Sequence, residues 1–248
     1  MKCRFTGLSD PGLVRTTNQD SYYVDPDGRF FLVADGMGGH LGGEEASRLA
    51  SEIIRTYLDD NWDSSEDSST LLKTALLKAN EAIVKDQCIH PQRGDMGTTV
   101  VAVAFREEGK PCCAHVGDSR LYRLRGAKLD QITSDHTWVA RAIEIGDLTP
   151  DQARVHPWRH VLSQCLGRDG LDQVDVQCLD VQSGDRLLLC SDGLTEELSD
   201  RAIASSLKTI RVCERAASAL VDAAKDKGGR DNITVIIIAV DDTDASED

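Results

Sequence analysis

Phe31-Leu-Val-Ala-Asp35-Gly36-Met37-Gly38-Gly39-His40 runs an apolar strand into a glycine-rich turn, and the period of the apolar residues changes to helical over Gly43–Leu58. A carboxylate placed at such a strand end sits at a sheet edge, where a ligand can reach it. Two later segments repeat the design: Leu187-Leu-Leu-Cys-Ser-Asp192-Gly193, and Gly229-Arg-Asp231-Asn232 ahead of Ile233-Thr-Val. Asp118, in Gly117-Asp118-Ser119, adds a fourth carboxylate beside an apolar run. One Asp-Gly is an ordinary turn. Four acidic strand ends in one chain instead suggest a shared site for a hard divalent cation such as magnesium or manganese, held by carboxylates and by a backbone carbonyl such as that of Gly36.

The glycine spacing excludes a competing reading. A dinucleotide fingerprint needs G-x-G-x-x-G inside a βαβ unit, whereas Gly36-x-Gly38-Gly39-x-x-Gly42 follows an Asp that would repel a bare pyrophosphate. Arg15, in Arg15-Thr-Thr-Asn18-Gln19-Asp20, supplies a guanidinium fork suited to phosphate oxygens, and an Arg near a carboxylate cluster points to a phosphate ester.

The chain of 248 residues is 40% hydrophobic and 28% charged, enough for one large core, and its net charge of −14 with no dense Lys/Arg cluster argues against nucleic-acid binding. Eight cysteines without a C-x-x-C pair suggest reduced, mostly buried thiols rather than a zinc ribbon or a secreted framework. The N-terminus has no apolar signal core, and the longest apolar stretch, Ile233 to Val240, is far short of a membrane span. A cytoplasmic monomer with no membrane partner is expected.

Strand patterns occur near Arg4–Leu8, Ser21–Val24, Phe30–Ala34, Thr98–Phe105, Pro111–Val116, Arg120–Leu124, Val174–Leu179, Arg186–Cys190 and Ile233–Val240. Helical periodicity marks Gly43–Leu58, Thr70–Lys85 and Val212–Asp226. Helices grouped between sets of strands, rather than alternating with them, predict an α+β fold of stacked antiparallel sheets covered by helices. Residues 134–167 interrupt the strand rhythm and read as a flap subdomain within a single catalytic domain of residues 1–240, while 241–248 read as an acidic disordered tail.

Taken in order, Arg15-x-x-Asn18-Gln19-Asp20, Val33-Ala-Asp35-Gly36-Met-Gly38-Gly39, Gly97-Thr98-Thr99, Val116-Gly117-Asp118-Ser119-Arg120, Ser191-Asp192-Gly193 and Gly229-Arg230-Asp231-Asn232-Ile-Thr-Val resemble the motif series of bacterial metal-dependent protein phosphatases of the 2C type. The resemblance extends from Arg15 to Val235. With Ser134-Asp135-His136-Thr137-Trp138 and His156-Pro157-Trp158-Arg159-His160, it is closest to the cyanobacterial enzymes acting on the phosphorylated signalling protein PII.

The resemblance implies a four-layer α-β-β-α sandwich and a protein serine/threonine phosphatase, in which a hydroxide bridging two Mg²⁺ or Mn²⁺ ions attacks phosphorus. In that scheme Asp35 bridges the two metals, the Gly36 carbonyl completes one, and Asp192 with Asp231 holds the second. A third ion would take Asp118 and Asp192. Asp20 would orient the attacking water, Arg15 would bind phosphate, and Asn232 would position the Asp231 loop. The eukaryotic pattern has His two places after the first Asp, but Met37 stands there. His40 is the candidate acid, with orienting water, touching the substrate peptide and a structural role as its alternatives. His136 is a second candidate for substrate contact, and His90, His115, His156 and His160 read as structural. The alternative function is a catalytically weak phosphopeptide-binding regulatory module on the same fold; a nuclease is disfavoured by the acidic surface.

Overall fold

The computed structural model describes residues 2–39, 42–106, 110–171 and 174–241. Strands β1 (Lys2–Asp10), β2 (Asp20–Val24) and β3 (Phe30–Met37) precede helices α1 (Gly42–Asn61) and α2 (Ser68–Ile89). Then come β4 (Gly97–Thr98), β5 (Val100–Ala104), β6 (Cys112–Val116), β7 (Arg120–Arg125) and β8 (Lys128–Gln131). The flap carries α3 (Trp138–Glu144) and α4 (Pro150–Arg154), and the chain finishes with β9 (Asp175–Cys178), β10 (Arg186–Cys190), α5 (Asp192–Thr195), α6 (Asp200–Thr209), α7 (Cys213–Lys227) and β11 (Ile233–Asp241).

Two antiparallel sheets form, in the orders β1-β11-β10-β7-β8 and β2-β3-β5-β6-β9, with β4 added to β3. The central strands are buried on both faces, which explains why they read as continuous apolar runs. In β5, Val101 and Val103 face the other sheet while Val100, Ala102 and Ala104 pack under α1 and α2, as the two-residue period of a strand requires. In β11, Ile236 and Ile238 face the inter-sheet core while Ile233, Val235 and Ile237 pack beneath the α7 side chains Ala216, Leu220 and Ala224. Three apolar layers thus separate four layers of secondary structure, the expected α-β-β-α sandwich. No described helix is long and apolar enough to cross a membrane.

Local signals set the helix ends. Asp67 caps α2 by accepting from the amides of Ser69 at 2.9 Å and Thr70 at 3.0 Å. Thr149 and Gln152 form a reciprocal capping box at α4.

Some expectations need correction. The single strand read over Thr98–Phe105 is broken at Thr99, whose amide donates to the Asp35 carbonyl at 2.9 Å and whose hydroxyl accepts from the Asp35 amide at 3.1 Å. The sequence reading omits strand β8 and helix α6, a ten-residue helix of which only Ile203 and Leu207 are buried. Strand β11 extends to Asp241, which pairs with Arg4 at 2.7 Å, so the first residue assigned to the acidic tail belongs to the sheet. The rest of that tail lies outside the described residues, as does His40.

Candidate metal centre

The registers of the two sheets bring the acidic strand ends together. In the β2–β3 pair Asp20 stands directly opposite Asp35, an arrangement of like charges that costs stability unless a cation or protons intervene. Asp118 follows β6, Asp192 opens α5 after β10, and Asp231 precedes β11. A cavity of about 510 Å³ at this edge is lined by Asp35, Asp118, Asp192 and Asp231, together with Arg15 and Gly36.

Burial and mutual repulsion make Asp20, Asp35, Asp118 and Asp192 weaker acids than ordinary carboxyls. Asp35 lies well above the usual carboxylate range, first because it is buried and then because Asp20, Asp192, Asp118 and Asp231 surround it. Asp118 is likewise raised by burial and by Asp192. Asp192 is pushed up to about 6 by burial, with Glu196 and Asp231 adding to it, and a hydrogen bond shared with Asp35 opposing the shift. Asp20 rises to about 7, chiefly through burial, against the pull of hydroxyl donors from Thr234 and Ser191. Those hydroxyls bond Asp20 Oδ2 at 2.6 and 2.8 Å, while Oδ1 is buried with no hydrogen-bond partner among the described residues.

This donor set tests whether the metals fit. Hard divalent ions take oxygen ligands and retain waters. Four convergent carboxylates, of which Asp35, Asp118 and Asp192 hold their protons more tightly than ordinary carboxyls, and a buried Asp20 oxygen awaiting a donor meet both requirements. A third-ion position on Asp118 and Asp192 has a structural rival, since His160, Asp192 and Glu196 bring one ligand atom each within 4.8 Å of one another.

The loops around the cluster are held by backbone contacts that explain their glycines and amide. A Cβ on Gly36 would lie 2.0 Å from the Gly43 carbonyl, so α1 can approach β3 only at glycine. Gly117 combines a φ of +105° with a prospective Cβ 2.6 Å from Thr99, and thereby turns the chain into Asp118. Asn232 is 4% exposed; its Oδ1 accepts from the Gln19 amide at 2.8 Å and its Nδ2 donates to the carbonyls of Pro11 and Thr17, both at 3.0 Å. One side chain thus locks both sides of the Arg15 loop to the Asp231 loop. Arg15 Nη2 donates to Asp231 Oδ2 at 2.7 Å.

The two histidine assignments change. His136 does not line the cavity; its Nδ1 accepts from the Gly117 amide at 3.2 Å and its Nε2 meets Asp175 at 3.2 Å, so it braces the loop that carries Asp118. His160, read from sequence as structural, lines the cavity, and its Nδ1 contacts the Glu196 carboxylate. Burial pushes its pKa below the usual histidine value. A lone histidine in a loop carries no spacing signal, and only the return of the flap, fixed by the Thr98–Leu166 bridge and the Ser163 amide donating to the His136 carbonyl at 2.8 Å, brings it to the carboxylates. Arg168 lines the same cavity and also escaped the sequence reading. In contrast, Arg120 and Asp135, both within resemblance motifs, form a two-pronged ion pair at 2.9 and 2.6 Å and serve the framework.

Two sheets sandwiched by helices thus gather acidic strand ends at one edge with an arginine beside them. Residues 14–226 match the family model described as protein phosphatase 2C, and the chain belongs to this family. It is 38% identical over 241 residues to the serine/threonine protein phosphatase PstP of Mycobacterium tuberculosis, covering 97% of this chain but 46% of that one, so it spans about half the length of that relative. Against the protein phosphatase PhpP of Streptococcus pneumoniae it is 35% identical over 246 residues, covering 96% of this chain and 98% of PhpP. A solved structure of the PstP catalytic domain in complex with two manganese ions superposes with a TM-score of 0.86 at 36% identity, covering 97% of this chain and 99% of that one.

Proposed function

We propose that this chain is a divalent-metal-dependent phosphatase of phosphoserine and phosphothreonine in proteins. The observation that carries the reading is the convergence of Asp35, Asp118, Asp192 and Asp231 on one cavity that also holds Arg15. The two manganese ions of PstP support a dinuclear centre; Asp35 would be the shared ligand, the Gly36 carbonyl would complete one ion, and Asp192 and Asp231 would hold the other. Magnesium suits the same oxygen donors, and Asp118 with Asp192 is the reading for a third ion. Bound there, the ions would acidify a water and neutralise phosphate charge.

The chain's own groups do the rest. Arg15, whose bond to Asp231 is exposed, would grip the phosphate oxygens and place phosphorus against the cluster. Asp20, with Oδ2 saturated by two hydroxyls, holds the attacking water through Oδ1. The leaving serine or threonine oxygen needs a proton, and His160, oriented by Glu196, supplies it. His40 stays an alternative donor to be tested beside it. The phosphorylated PII protein is the substrate the sequence motifs suggest, with flap residues 134–167 selecting it.

Turnover of a phosphoserine peptide, p-nitrophenyl phosphate and DNA with Mn²⁺, with Mg²⁺ and with EDTA tests the assignment. Metal-dependent hydrolysis of the phosphomonoesters and none of DNA is expected; peptide hydrolysis indifferent to EDTA overturns it. Phosphorylated PII set against unrelated phosphoproteins tests the substrate.

A further inference from the structure

Cys112 and Cys178 are direct partners in the β6–β9 ladder, at the edge of the six-stranded sheet and away from the cavity. The Leu179 amide donates to the Pro111 carbonyl at 2.7 Å, which makes Pro111 and Leu179 a hydrogen-bonded pair. The adjoining Cys112–Cys178 pair is therefore of the non-hydrogen-bonded kind, where opposed side chains come closest and Cα atoms lie roughly 4.5 Å apart. That separation falls within the span of a disulfide. The two Sγ atoms are 3.3 Å apart, and Ser69 Oγ lies 3.5 Å from one and 3.8 Å from the other. Cys178 is exposed, whereas Cys112 is buried. Neighbouring Cys113 points into the inter-sheet core and cannot reach Cys178.

We propose that Cys112 and Cys178 form a reversible disulfide, making edge strand β9 a redox modification site that takes a hydroperoxide as oxidant. The exposed Cys178 thiolate attacks the peroxide oxygen, breaking the O–O bond and leaving a sulfenic acid and, after protonation, an alcohol or water. The Cys112 thiol then attacks the sulfenic sulfur, forming the S–S bond and expelling water. Two thiols lose two electrons and two protons, and one peroxide accepts them. Closing the sulfurs to about 2.05 Å needs side-chain rotation only, because the ladder already holds both backbones. The bond would staple the edge strand across 66 residues of chain.

The test treats the full chain with hydrogen peroxide, blocks remaining thiols with N-ethylmaleimide, digests it and weighs the peptides. The Cys112 and Cys178 peptides should appear joined, lighter than their sum by two hydrogens, and should separate on adding a phosphine. Cys113→Ala should keep this product; Cys178→Ser and Cys112→Ala should lose it. The oxidised protein should melt roughly 5 °C higher than the reduced one, a shift absent from Cys178→Ser. Cys178 accumulating as sulfinic or sulfonic acid, or joined instead to the exposed Cys88, overturns the proposal, as does a joined product in Cys112→Ala.

Discussion

Arg15 and Asp231 bond each other across the mouth of the carboxylate cavity, Nη2 to Oδ2 at 2.7 Å, so the cation suited to phosphate rests on a carboxylate suited to metal. The side chains are 53% and 32% exposed, and an ion pair this open to water contributes little stability and exchanges readily. Arg15→Ala is therefore expected to leave folding almost unchanged while lowering kcat/KM about 10- to 100-fold, mostly through KM. Arg15→Lys should recover only part of the loss, since an ammonium cannot grip two oxygens as a fork does. Steady-state kinetics on a phosphopeptide decides; an unchanged KM in Arg15→Ala contradicts phosphate binding there.

Asp192→Asn should abolish turnover by a factor of 100 or more and weaken Mn²⁺ binding measured by calorimetry, because an amide oxygen is a poorer ligand than a carboxylate. The same change should leave the metal-free protein as stable as the parent or more so, since it removes one buried charge from a repelling group. Undiminished metal-dependent activity would remove Asp192 from the centre.

The raised carboxyls predict how stability responds to pH without metal. Asp192 at about 6 and Asp20 at about 7 lie above their unfolded values, near 3.9, so the folded chain holds more protons than the unfolded one in that window. Their contribution is fully present below about pH 4 and is lost as pH rises through 6 and 7. In EDTA the melting temperature should fall by several degrees from pH 5.5 to pH 8, and Mn²⁺ should restore most of the loss at the upper end, where the carboxylates are free to bind it. Scanning calorimetry with and without Mn²⁺ checks both; a metal-free melting temperature that rises over this interval contradicts the account.

Asn232 ties three backbone groups of residues 11–19 to the Asp231 loop. Asn232→Ala would leave those groups unpaired and is expected to cost about 2–3 kcal/mol in denaturant unfolding. Arg15 should lose its placement along with them, raising KM. A variant of parental stability would show that the amide is dispensable.

His160→Ala should slow hydrolysis of a phosphoserine peptide at least 10-fold more than that of p-nitrophenyl phosphate, whose leaving group departs without a proton. Glu196→Gln should show the same asymmetry more weakly, acting through the ring it touches. Equal losses on both substrates point to a positioning role for the histidine instead.

Much of this protein was legible before any coordinates, and the reason is local. Apolar runs lead into Asp-Gly at β3 and β10, and Asp231-Asn232 leads into the apolar run of β11, so each of these buried strands carries a carboxylate at its end. Paired faces of α1, α2 and α7 announced their helices by period alone. Hence the sandwich, the acidic cluster and its family followed from order and spacing. The tertiary structure decided what depends on register and on chain return. It set Asp20 opposite Asp35, gave Asn232 its three partners in a distant loop, folded the flap so that His160 met Glu196, and turned His136 away to brace Gly117. No single spacing in the chain encodes such meetings, because the pairs range from Gly117 and His136, 19 residues apart, to Pro11 and Asn232, 221 apart, and each depends on strand register or on how a loop returns.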